Sequence, residues 1–368
     1  MITYCTNIHP GESWDDTFQN LQFHIPAVKS AVSPDKPFPV GLRLSGLAAT
    51  EIDQYSSDYF VEWLRQNDLF IPTINGFPYG SFHASRVKEN VYLPDWRQQQ
   101  RVEYTNRLAD LLDVWLPENV QGSISTVPVG FRSCITEEQL CTIRENLLSV
   151  LVHLDRLRQK SGKEIILSLE PEPGCFLETT EDVIRFFERM RFPADLGRGI
   201  GICFDCCHQA VEFEDPACSL NLLAGAEITV AKVQVSSAPR LKNPDRAALE
   251  KFVEPCYLHQ VVIKDNDGFI KRYDDLPEAL QQHVAGASDE WRIHFHVPVF
   301  VERTGICETT RAFIEDALPL IDNKILLEVE TYTWDVLPPE LQSDTVTGSI
   351  IREIQWLKAQ RDEANRSS

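Results

Sequence analysis

The sequence predicts a single-domain (β/α)8 TIM barrel over residues 1–368, and three observations carry that expectation. Short hydrophobic strands alternate with amphipathic helices about eight times, the pattern of a parallel sheet wrapped by crossover helices. Acidic and other polar residues gather at the C-terminal ends of these strands, where such barrels place their chemistry. No strand is followed by a Gly-x-Gly-x-x-Gly turn, so a doubly wound sheet built around a dinucleotide site is the alternative set aside.

Composition narrows the function classes. The 368 residues exceed an ordinary domain but suit one barrel with insertions. With 55 acidic against 35 basic side chains the formal charge is −20, which argues against nucleic acid or an anionic membrane as partner. No apolar run reaches transmembrane length, and the N-terminus lacks a basic segment followed by a long apolar one, so a cytoplasmic protein with no membrane insertion is expected. Ten cysteines are scattered, three of them (Cys203, Cys206, Cys207) in one hydrophobic stretch, which reads as small reduced hydrophobes rather than a disulfide framework.

Taken in order, residues 2–8 form a first strand leading to His9, and Ser13 with Asp16 makes a capping box that opens a helix to about residue 30. Residues 40–45 are a second strand carrying Arg43, followed by helical spacing of Ile52, Tyr55, Tyr59, Phe60 and Trp63 through residue 66. The third strand, 69–74, empties into a Gly/Pro/aromatic loop at 75–83 that begins with Asn75 and contains Phe77 and Tyr79; a helix at about 94–116 follows. A loop of that length on a compact domain is a place for function. A fourth strand at 123–129 leads to a helix at 136–159, and a fifth at 165–169 ends in Glu170-Pro-Glu172 before a helix at 179–191.

The sixth strand, Gly201-Ile-Cys-Phe-Asp-Cys-Cys-His208, runs directly into a carboxylate and an imidazole. Strand alternation puts Cys203 and Asp205 on the face opposite Ile202 and Phe204. A His three residues after the Asp, where the chain turns, can swing back to share a ligand with it; the plainer reading is an Asp capping the next helix beside a surface His. The seventh strand is 229–236 with Gln234, and the last is 325–331 with Glu328 and Glu330. Between them lies an insertion at about 240–305. Its Asn266-Asp-Gly268 turn signals a hairpin between 258–264 and 269–273, then come a short helix at 275–283 and an extra strand at 291–300 bearing His294 and His296. Residues 349–368 form a C-terminal helix and tail.

A barrel gathers strand ends into one pocket, so Glu170, Asp205, Gln234 and Glu330 are expected to meet. Three adjacent carboxylates repel unless a cation holds them. Oxygen ligation favours Mg2+ or Mn2+, and His208 in the shell would draw the choice toward Mn2+ or Zn2+. Glu172 and Glu328 are alternatives two residues from Glu170 and Glu330. His294 and His296 read either as pocket groups, with His296 a metal group or proton carrier, or as buried and bonded to backbone. His9 and Arg43 are candidates to orient substrate oxygens, alongside Asn75, His208 and His294. Phe77, Tyr79, Tyr332 and Trp334 are candidate walls for a small polyhydroxy substrate, or aromatics that simply close the barrel.

Leu169-Glu170, Phe204-Asp205-x-x-His208 and Leu327-Glu328-Val-Glu330 resemble the xylose-isomerase-like TIM barrels, the sugar isomerase/epimerase and endonuclease IV superfamily. More narrowly, the stretches 4–12, 75–80, 294–299 and 327–334 look like the metabolite traffic protein EboE family. The first resemblance implies that Glu170, Asp205 and Glu330 bind a divalent metal and that Glu170 and Glu330 form an acid/base pair. The second implies a cytoplasmic protein concerned with making or moving a small, cyclitol-like metabolite. Gln234 departs from the superfamily pattern, which has His there, so His208 or His296 is expected to take over or metal binding to weaken. The functions weighed are a metal-dependent sugar or cyclitol isomerase/epimerase, a non-catalytic metabolite-binding barrel, and a zinc nuclease, the last disfavoured by the acidic charge.

Overall fold

Eight parallel strands form the barrel: β1 (Ile2–Tyr4), β2 (Phe38–Arg43), β3 (Leu69–Asn75), β4 (Gly122–Thr126), β5 (Ile165–Leu169), β6 (Ile200–Asp205), β7 (Val230–Val235) and, last in the chain, Leu326–Val329. A computed structural model of the chain describes residues 1–83, 86–283, 289–342 and 344–367. The insertion expected at 240–305 and the tail expected to reach 368 therefore each lie partly outside the described residues. The last strand pairs with both β1 and β7, and a single bridge between Cys5 and Gly41 joins β1 to β2 and completes the circuit.

Between β7 and that last strand the chain builds β8 (Pro239–Lys242), β9 (Val261–Lys264), β10 (Ile270–Tyr273), β11 (Glu290–Ile293) and β12 (Glu308–Thr309), which makes Leu326–Val329 β13. These five form a separate antiparallel sheet in the order β10-β9-β11-β8-β12. The expected hairpin is β9–β10. The extra strand is shorter than expected: it stops at Ile293, and His294 to Phe300 run as irregular chain over the barrel mouth. Backbone N–H groups there reach out singly, His294 to Gln260 and Val297 to Ser237, and Pro298 has none to offer.

Other boundaries moved for local reasons. The first strand ends at Tyr4, and Thr6–Ile8 form a tight turn that carries Asn7 inward. The helix expected to reach residue 66 from about 49 is two helices, Gly46–Glu51 and Gln54–Gln66, because the Asp53 carboxylate accepts the Ser56 N–H and starts the second. The Ser13/Asp16 capping box is present at the head of Trp14–Val32. Among the described residues no helix is long and apolar enough to cross a membrane.

Alternation along the strands separates two environments. On β6, Phe204 faces outward and stacks on Phe313 of the helix Arg311–Ala317. Asp205 pairs in register with Gln234, and Gln234 with Glu328, so three adjacent strands carry polar side chains level with one another. Lys232 and Glu328 are wholly buried and paired at 2.5 Å beneath the site. Room for Glu328 comes from Gly41: a Cβ there would lie 1.7 Å from the Glu328 Oε1 and 2.7 Å from the Tyr4 carbonyl.

Candidate metal and substrate site

Glu170 follows β5, Asp205 ends β6 and Glu330 follows β13, and one oxygen from each lies within 4.8 Å of the others. That spacing is within the span of two metal–oxygen bonds of roughly 2.0–2.6 Å. All three are buried. Burial first, and then the Asp205 carboxylate, push Glu170 up to about 8. Burial followed by Glu170 and Asp205 hold Glu330 well above the carboxylate range. Lys232, already paired with Glu328, and the His208 ring are the cationic groups that act on Glu170, too few to offset three carboxylates.

The remaining bonds aim specific atoms at the gap. Asp205 Oδ1 accepts the His208 N–H (3.0 Å) and the Ser236 hydroxyl (2.7 Å), while Oδ2 has no partner. The capping reading and the ligand reading of this Asp are thus compatible, one oxygen for each. Glu330 Oε1 accepts three amide N–H groups, from Asn7 (2.8 Å), Asn75 (3.0 Å) and Gln234 (3.2 Å). With its nitrogen so engaged, Gln234 keeps a buried Oε1 without a partner. His296 donates Nδ1–H to the Glu330 carbonyl at 2.9 Å, which leaves Nε2 as a bare lone pair 4.0 Å from Asp205 Oδ2. Burial pushes the His296 ring down to about 4 and keeps it neutral, as ligation requires. Four orphaned buried atoms (Glu170 Oε2, Asp205 Oδ2, Gln234 Oε1 and His296 Nε2) make a donor set that fits a divalent cation.

His208 is held differently. Its Nδ1 meets the Pro171 carbonyl at 2.8 Å and its Nε2 meets His294 Nε2 at 3.0 Å; His294 Nδ1 in turn meets Gln260 Oε1 at 2.7 Å. Both Nδ1 partners only accept, so both rings carry Nδ1–H, and the proton shared between the Nε2 atoms makes one ring cationic. Burial, then the neighbouring His208, holds His294 well below its ordinary value. Burial opposes charge on His208 as well, but Asp205, Glu172 and Glu170 outweigh it and raise the ring. Of the two rings His208 is the one on which the shared proton is favoured. Its Nε2 also lies 3.8 Å from Asp205 Oδ2, and Asp205, His208 and His296 form a second group able to hold a metal ion.

Above these groups opens a pocket. Asn7, Asn75, Glu170, Glu172, His208 and Glu330 line its floor at the strand ends, and the 75–83 loop and His294 meet over the same mouth. Buried Arg101 braces that loop by donating to the Gly76 (2.6 Å) and Phe77 (3.2 Å) carbonyls.

Four expected substrate contacts lie outside the lining. His9 bonds to the Tyr4 hydroxyl at 3.0 Å and stacks on His24. Arg43 is tied to the Gly11 and Gly80 carbonyls and to Glu12. Tyr79 packs edge-on against Tyr104 and accepts from Gln100. Trp334 is buried, with its carbonyl accepting from Gln342. The Thr6–Ile8 turn is the reason His9 points away: Asn7 takes the inward position. Of the alternatives, Glu328 is the buried partner of Lys232, and Glu172 accepts from Tyr92 at 2.7 Å. Asn7, Ser236, Tyr92 and Gln260 were not foreseen. Asn7, three residues past a strand, carried a positional signal; Gln260 carried none.

No protein-family model and no curated protein matches the sequence. Solved structures do match. L-ribulose 3-epimerase aligns with a TM-score of 0.55 at 11% identity, covering 100% of this chain and 96% of its own. A xylose isomerase-like TIM barrel protein from Mycobacterium smegmatis in complex with magnesium gives 0.53 at 12%, over 99% and 97%. The IOLI protein with a binding zinc atom gives 0.52 at 13%, over 99% and 98%. The fold is the xylose-isomerase-like TIM barrel. At these identities the likeness extends to the fold alone.

Proposed function

We propose that the protein is a divalent-metal-dependent isomerase or epimerase that moves a proton beside the carbonyl of a small sugar, cyclitol or related polyhydroxy ketone. The observation that carries this reading is that Glu170, Asp205 and Glu330 each bring an oxygen within 4.8 Å of the others, Glu170 and Glu330 at the floor of a pocket, while buried atoms of Glu170, Asp205, Gln234 and His296 have no partner. Neighbours whose names include an L-ribulose 3-epimerase and a magnesium complex support it. Glu170, Asp205, His296 and Glu330 would hold Mn2+ or Mg2+, or Zn2+ given the imidazole, with Gln234 Oε1 beside them.

When bound, such a cation supplies Lewis-acid polarisation of a carbonyl and its neighbouring hydroxyl. The chain's own groups do the rest. Glu170, with Oε2 free, and Glu330, oriented by Asn7, Asn75 and Gln234, are the pair that takes the proton from carbon and returns it. His296, locked by the Glu330 carbonyl, serves as a ligand rather than a proton carrier. The EboE-like stretches and ten free cysteines support a cytoplasmic role in making or moving a small metabolite.

A binding protein without turnover is the second reading, favoured by Gln234 standing where the resemblance expects His. Metal analysis of protein purified without chelator, followed by solvent deuterium incorporation into a panel of ketoses and cyclitol ketones, separates the two. Bound metal with no exchange across the panel would select the binding protein; no metal at all would remove the metal-dependent isomerase and leave the binding protein.

A further inference from the structure

The pocket is chemically divided, and the division specifies a ligand. Resting on the proposed function for what happens at the floor, we propose that the substrate is amphiphilic: a compact hydroxy-ketone unit at the strand ends joined to an apolar or aromatic remainder that fills the outer pocket.

At the floor, unpartnered polar atoms are concentrated: Glu170 Oε2 and Asn7 Oδ1 line it, with Asp205 Oδ2 and His296 Nε2 adjoining. The outer walls come from three chain segments, the 75–83 loop, residues 87–92 and residues 257–258, and they present Phe77, Pro78, Phe82, Val87, Val91 and Leu258. Three of the four polar side chains at this level are bonded within the protein; the fourth, Tyr332, packs against the cluster of Phe82, Val87 and Tyr257. Lys88 Nζ is 2.6 Å from Asp275, the Tyr257 hydroxyl is 3.0 Å from His83 Nδ1, and the Tyr92 hydroxyl donates to Glu172. Phe82, Val87 and Tyr257 pack into a small apolar cluster of their own, apart from the barrel core. An extended polyol reaching past the floor would bury most of its hydroxyls against apolar walls, with only the Tyr332 hydroxyl and the remaining Lys88 N–H groups to meet them, whereas an apolar remainder would shed water at no such cost.

The test uses the full chain, metal-free and loaded with Mn2+, titrated calorimetrically with 2-hydroxyacetophenone, dihydroxyacetone and D-fructose. The aryl hydroxy ketone is expected to bind at least about 10-fold more tightly than either polyol, the discrimination typical of one apolar group in a closed pocket. Val87→Thr and Val91→Thr, which keep shape and add a hydroxyl, should each reduce that ratio about threefold or more while leaving Mn2+ affinity unchanged. D-fructose binding as tightly as the aryl ketone, or a ratio indifferent to both substitutions, overturns the proposal. Failure to bind Mn2+ would overturn the metal-dependent function instead, and the ratio measured on metal-free protein would still decide the substrate class.

Discussion

His296 donates its Nδ1–H to the backbone carbonyl of Glu330 across 2.9 Å. A residue of the insertion and the residue that follows the last barrel strand are thereby set in one orientation, with the histidine's second nitrogen aimed at Asp205. Removing that ring should cost metal affinity directly. His296→Ala is expected to weaken Mn2+ binding by more than the roughly 10–100-fold typical of losing an outer-shell partner, measured by calorimetric titration. Unchanged affinity would take His296 out of the ligand set.

Metal binding should release a proton near neutral pH. In the metal-free protein Glu170 sits at about 8, so at pH 7 it is mostly protonated and must ionise to ligate. Mn2+ affinity should therefore climb as pH rises toward 8, and calorimetry in buffers of differing ionisation enthalpy should count about one to two protons released, because Glu330 is raised as well. A flat affinity from pH 6 to 8 would contradict this.

The same carboxyl links stability to pH. Its folded value is raised above the ordinary ~4.3, so its stabilisation is complete below that value and is lost as pH rises toward 8. Glu353, at about 7, and Glu212, at about 8, act in the same direction. Denaturant midpoints of the metal-free protein should fall between about pH 6.5 and 8, above the range in which the buried neutral His294 and His296 act with the opposite sign, and Mn2+ should flatten the decline. A rising midpoint over that range would count against the buried neutral acids.

Glu330→Gln should abolish proton exchange while leaving the barrel folded. The amide oxygen can still accept from Asn7, Asn75 and Gln234, so the stability change should stay within about 1 kcal/mol. Exchange should fall further than the roughly 10²–10⁴-fold of general acid–base catalysis, because a ligand is lost as well. Full exchange in the variant would assign the proton to another group.

Breaking the buried Lys232–Glu328 pair should be costly in one direction only. Lys232→Met leaves Glu328 charged and alone and is expected to destabilise by about 3–5 kcal/mol, whereas Lys232→Met with Glu328→Gln should recover most of that loss. Urea denaturation of the two variants checks it; equal losses would mean that packing, not charge, dominates.

Much of this architecture was legible because strand alternation and helix caps are local signals. Asp205 shows how: its place on β6 followed from alternation, and its capping role from the turn after it. Glu170 and Glu330 meeting followed from barrel topology once eight strands were counted. What stayed hidden depended on irregular chain. Nothing in the spacing of His294 and His296 told that β11 ends before them, because the bonds that end it go to Gln260 and Ser237, distant in sequence. His9 lies outside the pocket lining because a short turn rotates the chain after the strand, and Arg43, at the end of β2, because its guanidinium is taken up by Gly11, Glu12 and Gly80. Strands β8 and β12 are short, and their charged residues gave no hydrophobic run to find.

The insertion between β7 and β13 supplies both the imidazole beside Asp205 and, through Tyr257 and Leu258, part of the outer wall. On the proposed function, ligand chemistry and substrate choice would thus travel on one contiguous cassette. Exchanging that cassette between related barrels would transplant the two properties together, and a barrel trimmed of it for convenience would keep its scaffold while losing a ligand and a wall at once.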